Sequence, residues 1–464
     1  MENNISSSQK MGTMPIGPLL ASMAIPAMFS MLIQSMYNVV DSIFVARIGE
    51  NALTAVSLVF PMQMLVLAFS LGASVGANSL IARRLGEGKR EEASAAATNG
   101  FFLAGMNYLI FLVAGIFISR PFLVLFSQDA GIVEMGTQYL TIVMVASFGM
   151  HIEMMGSKIL QATGNMIVPM VSQIIGAVTN IVLDPIMIFG LLGCPAMGVA
   201  GAAIATVIGQ IFAMIFVLVM YLFKEHDVHV SFKHFRPDGQ IVRDIFKVGV
   251  PTMIMNAIGS VTTTGMNAIL MVYSSTAVAV IGIYFKLQSF VFMPVFGLTQ
   301  GAMPIMGYNF GANNKKRFMR TMNLSLIVAS IIMVIGTAIF CLIPDKLLLL
   351  FDASEQMLSI GTVALRTIGF CFIGAAGGII ISTMFQAMGY GFNSLLMSLL
   401  RQLVLILPIG WLFGKLWGLD GVWFAYPTAE YICLLVFLPI AVSVVRKEFH
   451  KKEEQAVSGP QSEA

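Results

Sequence analysis

Long apolar runs alternate with short polar clusters from residue 16 to residue 446. Twelve such runs can be drawn, at 16–45, 53–81, 96–118, 135–156, 166–192, 199–222, 245–272, 277–306, 322–343, 360–388, 395–413 and 422–445. A hydrocarbon core roughly 30 Å thick is crossed by about 20 apolar residues in a helix. Backbone polar groups cannot go unpaired in lipid, so each run is expected to be helical throughout. The pattern therefore predicts an all-α polytopic membrane protein with twelve transmembrane helices. A transmembrane barrel is excluded, because its strands would alternate every second residue over about ten residues.

The two halves of the pattern repeat. A shift of 225 residues without a gap carries Pro26 onto Pro251, Gln63 onto Gln288, Gly72 onto Gly297, Gly76 onto Gly301, Gly86 onto Gly311, Gln161 onto Gln386 and Gly164 onto Gly389. Chance alignment of apolar segments would match Leu and Val rather than Gly, Pro and Gln. Equivalent loops follow an even number of spans, so the halves share one topology. Two six-helix lobes related by a pseudo-two-fold axis along the membrane normal are expected, the plan of a parallel-repeat transporter. The paired glycines read as close helix contacts rather than hinges, and Pro26 and Pro251 as kinks in the first helix of each lobe.

Charge adds orientation. Of 26 Lys and Arg, nineteen fall on segments that share a side with the N-terminus and four on the opposite loops, Arg47, Arg120, Lys346 and Lys415. This bias places both termini in the cytoplasm and the protein in the cell (inner) membrane as a multi-pass chain. Lys158 is counted with the cytoplasmic loops, whereas Lys286, Arg366 and Arg401 lie within spans. The first run has no cleavage site and is expected to be retained. The organisation read from these features is a cytoplasmic N-terminal segment (1–15), a first lobe (16–223), a flexible polar linker (224–243), a second lobe (244–446) and a disordered cytoplasmic tail (447–464).

Composition closes off other classes. The chain is 57% hydrophobic and 11% charged, with mean hydropathy +0.86, and its net charge of +3 carries no nucleic-acid signature. Four cysteines, at 194, 341, 371 and 433, have neither metal nor redox spacing. There is no His-Glu-x-x-His, no Gly-x-Gly-Asp and no phosphate-binding glycine loop, so neither catalytic residues nor cofactors are expected. The expected partners are the lipid bilayer and small organic molecules, with no nucleic acid, and the expected state is a monomer. The 35 Met and 34 Phe could form an adaptable apolar pocket or only pack the interior.

Acids inside the spans carry the chemistry. Asp184 stands in a run that is otherwise apolar from 166 to 192, and a carboxylate at that depth costs roughly 2.5–3.5 kcal/mol, so it normally faces a cavity or a partner. Asn180 lies one turn before it on the same face, and Pro185 frees the Ile181 carbonyl. These groups could converge on a small cation or a proton, or the acid could only tie helices together. Asp41 ends a polar stripe of Gln34, Tyr37 and Asn38, which reads as cavity lining or as interfacial anchoring. Neither acid repeats: Asp41 falls opposite Met266 and Asp184 opposite Ile409. His151 and Glu153 point apart on a helix, Glu430 and Lys286 could pair or line a central cavity, and Arg366 and Arg401 could bind anions or hold lobes together.

Pro26 with Asp41, the segment 160–165 (LQATGN), Asn180 with Asp184-Pro185, and the segment 201–206 (GAAIAT) together resemble the multidrug and toxic compound extrusion (MATE) transporters, over residues 16 to 445. The resemblance implies lobes in a V shape and secondary active antiport by alternating access. Organic, often cationic, amphipathic drug-like compounds would leave in exchange for H+ or Na+. It also implies a first-lobe cation site at Asp41, Asn180, Asp184 and Thr206, with Na+ one candidate occupant, and a substrate cavity lined by Gln34, Tyr37, Asn38 and Lys286. The family's second-lobe acids have no match, since the seventh span offers Asn256 and no acid lies near Cys371. The rival reading is a flippase for lipid-linked oligosaccharides, which should gather Lys286, Arg366 and Arg401 in one cavity.

Overall fold

The computed structural model describes residues 8–223, 227–233, 235–351 and 353–458, and every regular element among them is helical. Among the described residues eleven helices are long and apolar enough to cross a membrane, and a bent pair makes the twelfth. The first lobe comprises α1 (Ile16–Ala46), α2 (Glu50–Gly86), α3 (Arg90–Phe117), α4 (Ala130–Val145 with Phe148–Ala162), α5 (Ile167–Phe189) and α6 (Gly198–Phe223). The second comprises α7 (Gly239–Met271), α8 (Ser275–Gly311), α9 (Lys315–Leu342), α10 (Glu355–Gly369 with Cys371–Met388), α11 (Gly391–Leu399, a π-helical stretch Leu400–Ile406, then Leu407–Trp417) and α12 (Ala425–Ser458).

The repeat extends to backbone detail. Gly164 and Gly389, one shift apart, both end a helix with φ of 87°. Behind them Asn165 N donates to Leu160 O at 2.9 Å, and Tyr390 N donates to Phe385 O at 2.7 Å. A left-handed residue is needed to close a helix in this way, and glycine takes it without a Cβ clash.

Two spans expected to be unbroken are not. α4 bends by 44° between Val145 and Phe148, and α10 is interrupted at Phe370, the position equivalent to Val145. Side chains take up carbonyls near both breaks: Ser147 Oγ donates to Met144 O at 2.8 Å, Thr337 Oγ1 to Gly369 O at 2.9 Å and Tyr431 Oη to Phe370 O at 3.0 Å. Backbone groups freed at bilayer depth must find such partners.

The described parts of the linker and the tail make defined contacts. α7 begins at Gly239 because Asp238 caps it, Oδ1 accepting from Gln240 N at 2.8 Å and from Ile241 N at 3.2 Å. The described part of the linker is docked on α3: His229 N donates to Ser94 Oγ, Ser231 N to Thr98 Oγ1 and Asp238 N to Asn99 Oδ1. α12 runs on to Ser458, held by the fully buried Phe449 and by Lys452 over the Phe310 ring at 4.0 Å; residues 459–464 lie outside the described part.

The lobes meet at the end that carries the chain termini. The lower half of α1 packs on α8, and the lower half of α7 packs on α2, so each lobe lends its first helix to the other. A Cβ on Gly76 would fall 2.2 Å from Ile245 O, and one on Gly72 2.7 Å from Gly249 O. The repeat partners behave alike: a Cβ on Gly301 would fall 2.7 Å from Ala24 N, and one on Gly297 2.4 Å from Met28 Cα. These glycines are therefore close contacts between lobes, as small residues are at helix interfaces in lipid. Hydrogen bonds add to the seal, Arg83 Nη1 donating to Met388 O at 3.2 Å and Arg317 Nη2 to Met14 O at 2.7 Å. Among the described residues these lobe-to-lobe hydrogen bonds and glycine contacts gather at the terminal end, which closes the bundle there.

Candidate cation site in the first lobe

The stripe on α1 faces the interior of its own lobe. Gln34 Oε1 accepts from Gln173 Nε2 of α5 at 2.6 Å. One turn on, the Tyr37 hydroxyl reaches Thr206 of α6, and a further turn brings Asp41 against Asp184 of α5. The spacing 34, 37, 41 puts all three on one helical face. The side chain of Asn38 lies outside the described residues.

Asp184 and Asn180 are buried, at 0% and 2% exposure. With the Asn180 amide assigned so that donors meet acceptors, its nitrogen donates to Asp184 Oδ2 at 2.9 Å, and its oxygen accepts from Thr206 N at 3.0 Å and Thr206 Oγ1 at 3.1 Å. The carboxyls of Asp41 and Asp184 come against one another, while Asp41 Oδ1 is enclosed with no donor facing it. A hydrogen bond between carboxyls so placed requires one of them to hold a proton. The cluster is thus an oxygen-rich nest, with two acids and one amide donor, of the kind that can take a proton or a hard cation. Asp41, Asn180, Asp184 and Thr206, drawn from three helices, are brought together.

A family model described as MatE matches residues 26–186 and 251–412, two copies set apart by the same 225-residue shift. The chain belongs to the MatE family. It is 25% identical over 429 residues to the multidrug export protein MepA of Staphylococcus haemolyticus (strain JCSC1435), covering 91% of this chain and 92% of that protein. It is also 25% identical over 430 residues to MepA of Staphylococcus aureus (strain NCTC 8325 / PS 47), covering 92% and 93%. Among solved structures, one is a MOP superfamily transporter from Pyrococcus furiosus Vc1 (DSM3638), described as having a binding pocket of reverse polarity. It aligns with TM-score 0.89 and 25% identity, over 95% of this chain and 98% of that one. An outward-facing conformation of a multidrug resistance MATE family transporter aligns with TM-score 0.88 and 25% identity, over 93% and 96%. This MatE chain is a multi-pass membrane transporter built as two six-helix lobes.

The second MatE lobe does not rebuild the acid cluster. Met266, equivalent to Asp41, is fully buried and packs on Gly410, next to the Asp184 equivalent Ile409. Asn256 Nδ2 donates to Thr252 O in its own helix. Glu430 pairs with Arg401 Nη1 at 3.3 Å rather than with Lys286, whose ammonium stands 5.9 Å from the centroid of the Phe351 ring. Arg366 Nε donates to Cys341 O at 3.2 Å. The three basic residues within spans therefore have three separate partners and do not converge. His151 Nδ1 faces Ser147 O at 2.9 Å, and Glu153 Oε1 accepts from Ser157 and Ser172, so these two do not form a relay.

Three residues at or between the lobes escaped sequence reasoning. Tyr139 on α4 is 3% exposed, accepts from Gln63 Nε2 at 3.1 Å and reaches Thr206, so it closes one wall of the acid cluster. A tyrosine in an apolar run gives no sign of this, and Gln63 stood out only as a repeat marker. Lys158, assigned to a loop, lies inside the second half of α4 and is 8% exposed. The helix continues past Lys158 to Ala162, so Lys158 packs within the bundle rather than in a loop.

Proposed function

We propose that this protein exports amphipathic, often cationic, drug-like compounds by alternating access, in exchange for H+ or Na+ bound at Asp41, Asn180, Asp184 and Thr206. The observation that carries the reading is the meeting of Asp41 with the buried Asp184 inside one lobe of a bundle whose lobe-to-lobe contacts gather at one end. Lys and Arg gather at the sealed end, which supports placing it in the cytoplasm and describing this state as outward-facing. The names of the relatives, multidrug export protein and multidrug resistance transporter, support the substrate class.

The carboxyl pair in direct contact fits a proton-loaded state. Bringing a cation into the cluster from outside and releasing it inside moves charge down the potential, roughly 2.3 kcal/mol per charge for each 100 mV. That is on the order of a fifty-fold substrate gradient. Exchange requires that ion and substrate disfavour one another, and this antagonism is reciprocal. Gln34, Tyr37 and Asn38 share α1 with Asp41, so a change in the charge of Asp41 is felt along the wall we assign to substrate. Lys286 belongs to the same assignment from the second lobe. The separate partners of Lys286, Arg366 and Arg401 weigh against a flippase for anionic lipid-linked sugars.

The deciding experiment is efflux of a cationic dye in inside-out vesicles with proton and sodium gradients imposed separately. Export is expected to follow one gradient and to be lost in Asp184→Asn. Unchanged gradient-driven export by that variant would refute the coupling assignment.

A further inference from the structure

Lys158 is an ammonium at the interface between the lobes, and only neutral groups hold it. Its Nζ donates to Gln161 Oε1 on the same helix at 2.9 Å and to Gln300 Oε1 on α8 of the other lobe at 2.8 Å. Gln161 Nε2 donates to the same Gln300 oxygen at 3.4 Å, and Asn78 Nδ2 fixes the Lys158 carbonyl at 2.7 Å. Among the described residues no carboxylate forms an ion pair with it. Glu153, the acid that acts on it through space, is engaged by two serine hydroxyls.

The repeat shows that this contact is not part of the common scaffold. The positions equivalent to Lys158 and Gln300 are Thr383 and Val75, which cannot reproduce an ammonium-to-amide bond. The Lys158–Gln300 link is built on one side of the pseudo-two-fold axis only.

Gln300 lies on the helix that carries Gly297 and Gly301, the glycines that abut α1 across the lobe interface. If the terminal end opens, Gln300 must leave with its lobe. Lys158 then keeps a single amide acceptor, an expensive state for a cation held out of water. The vacated place faces the cleft that has just opened.

We propose that Lys158 is a state-dependent carboxylate site. It binds the anionic group of a zwitterionic amphipathic substrate while the terminal end is open, and Gln300 displaces that group as the end closes. A charge-assisted hydrogen bond to carboxylate is stronger than one to a neutral amide, so the site loads when Gln300 is absent. When α8 returns, Gln300 restores the donors' partner, and release does not strand the charge. The site thus selects for a carboxylate beside the cationic and apolar parts of the substrate, and it deepens the exporter reading on which it rests.

The test uses the full-length protein in nanodiscs and a matched pair of probes, a xanthylium dye cation with a free carboxylate and its ethyl ester. Binding is measured by fluorescence anisotropy. Lys158→Gln removes the charge, and Gln300→Glu supplies a permanent rival carboxylate without changing shape. Each is expected to lower the acid-to-ester affinity ratio about tenfold, equivalent to ~1.4 kcal/mol, while Lys158→Arg preserves the ratio. A ratio that stays at the wild-type value in either Lys158→Gln or Gln300→Glu overturns the proposal, since a residue that only pins the lobes would change both affinities together. Export of the two dyes from vesicles is scored separately. If wild-type protein exports neither dye although the ratio responds as expected, the exporter reading fails and the carboxylate site stands.

Discussion

Replacing Gly76 with alanine should force the sealed end apart. The added Cβ would lie 2.2 Å from Ile245 O, 3.0 Å from Ile245 C and 3.1 Å from Ile245 Cγ2. Ordinary contact begins at 3.4 Å, so α2 and α7 must separate by about 1.2 Å (3.4 − 2.2). A Cβ has no rotamer to change, and the atom it strikes is backbone, so local relaxation cannot absorb the overlap. Overpacking of this kind costs roughly 1–3 kcal/mol. If that cost falls on the sealed state alone, the balance between the two access states moves about 5- to 150-fold. Spin labels at Ala130 and Glu355, exposed and repeat-related at the end away from the termini, would report it as a shift from long to short distances in a background lacking the four native cysteines. Gly105→Ala is the control, because nothing lies within 4 Å of its Cβ. An unchanged distance distribution for Gly76→Ala would refute the view that this glycine contact holds the lobes closed.

Further outcomes follow from the second lobe and its seal. Glu430→Gln leaves Arg401 without its carboxylate and is expected to destabilise the protein by about 3 kcal/mol. The double change Glu430→Leu with Arg401→Met should recover most of the loss, as read from thermal unfolding in detergent. A single variant as stable as wild type would mean that the 3.3 Å pair does not hold α11 to α12. Gly389→Ala is expected to lower the unfolding temperature as well, since its φ of 87° strains any side chain and its Cβ would strike Arg83 Nη1. Cross-linking between α2 and α10 through cysteines introduced at their terminal ends should fall in parallel, because the Arg83 to Met388 bond is lost.

Much of this architecture is written in the chain itself. Run length and the absence of strand alternation determine twelve helical crossings, because lipid leaves the backbone no other way to satisfy its polar groups. The 225-residue repeat determines two like lobes, and four of its glycine markers proved to touch across them. Gly72, Gly76, Gly297 and Gly301 are retained in both halves because the same close approach is made twice. The acids Asp41 and Asp184 were visible for the opposite reason, as charges with no business in lipid and no counterpart in the second half.

Only the tertiary structure decided who meets whom. Helical periodicity places Gln34, Tyr37 and Asp41 on one face, but not whether that face looks at lipid, at the cleft or at α5 and α6. The contacts to Gln173, Thr206 and Asp184 settled it for the interior of the lobe. Glu430 and Arg401 lie far enough apart in sequence that no pattern pairs them. Lys158 illustrates the limit most clearly. A basic residue after an apolar run reads as a loop residue, yet the helix runs on to Ala162 and Lys158 meets Gln300 of the other lobe. Periodicity is a property of one helix, whereas a buried charge is matched by whichever helix the packing brings to it.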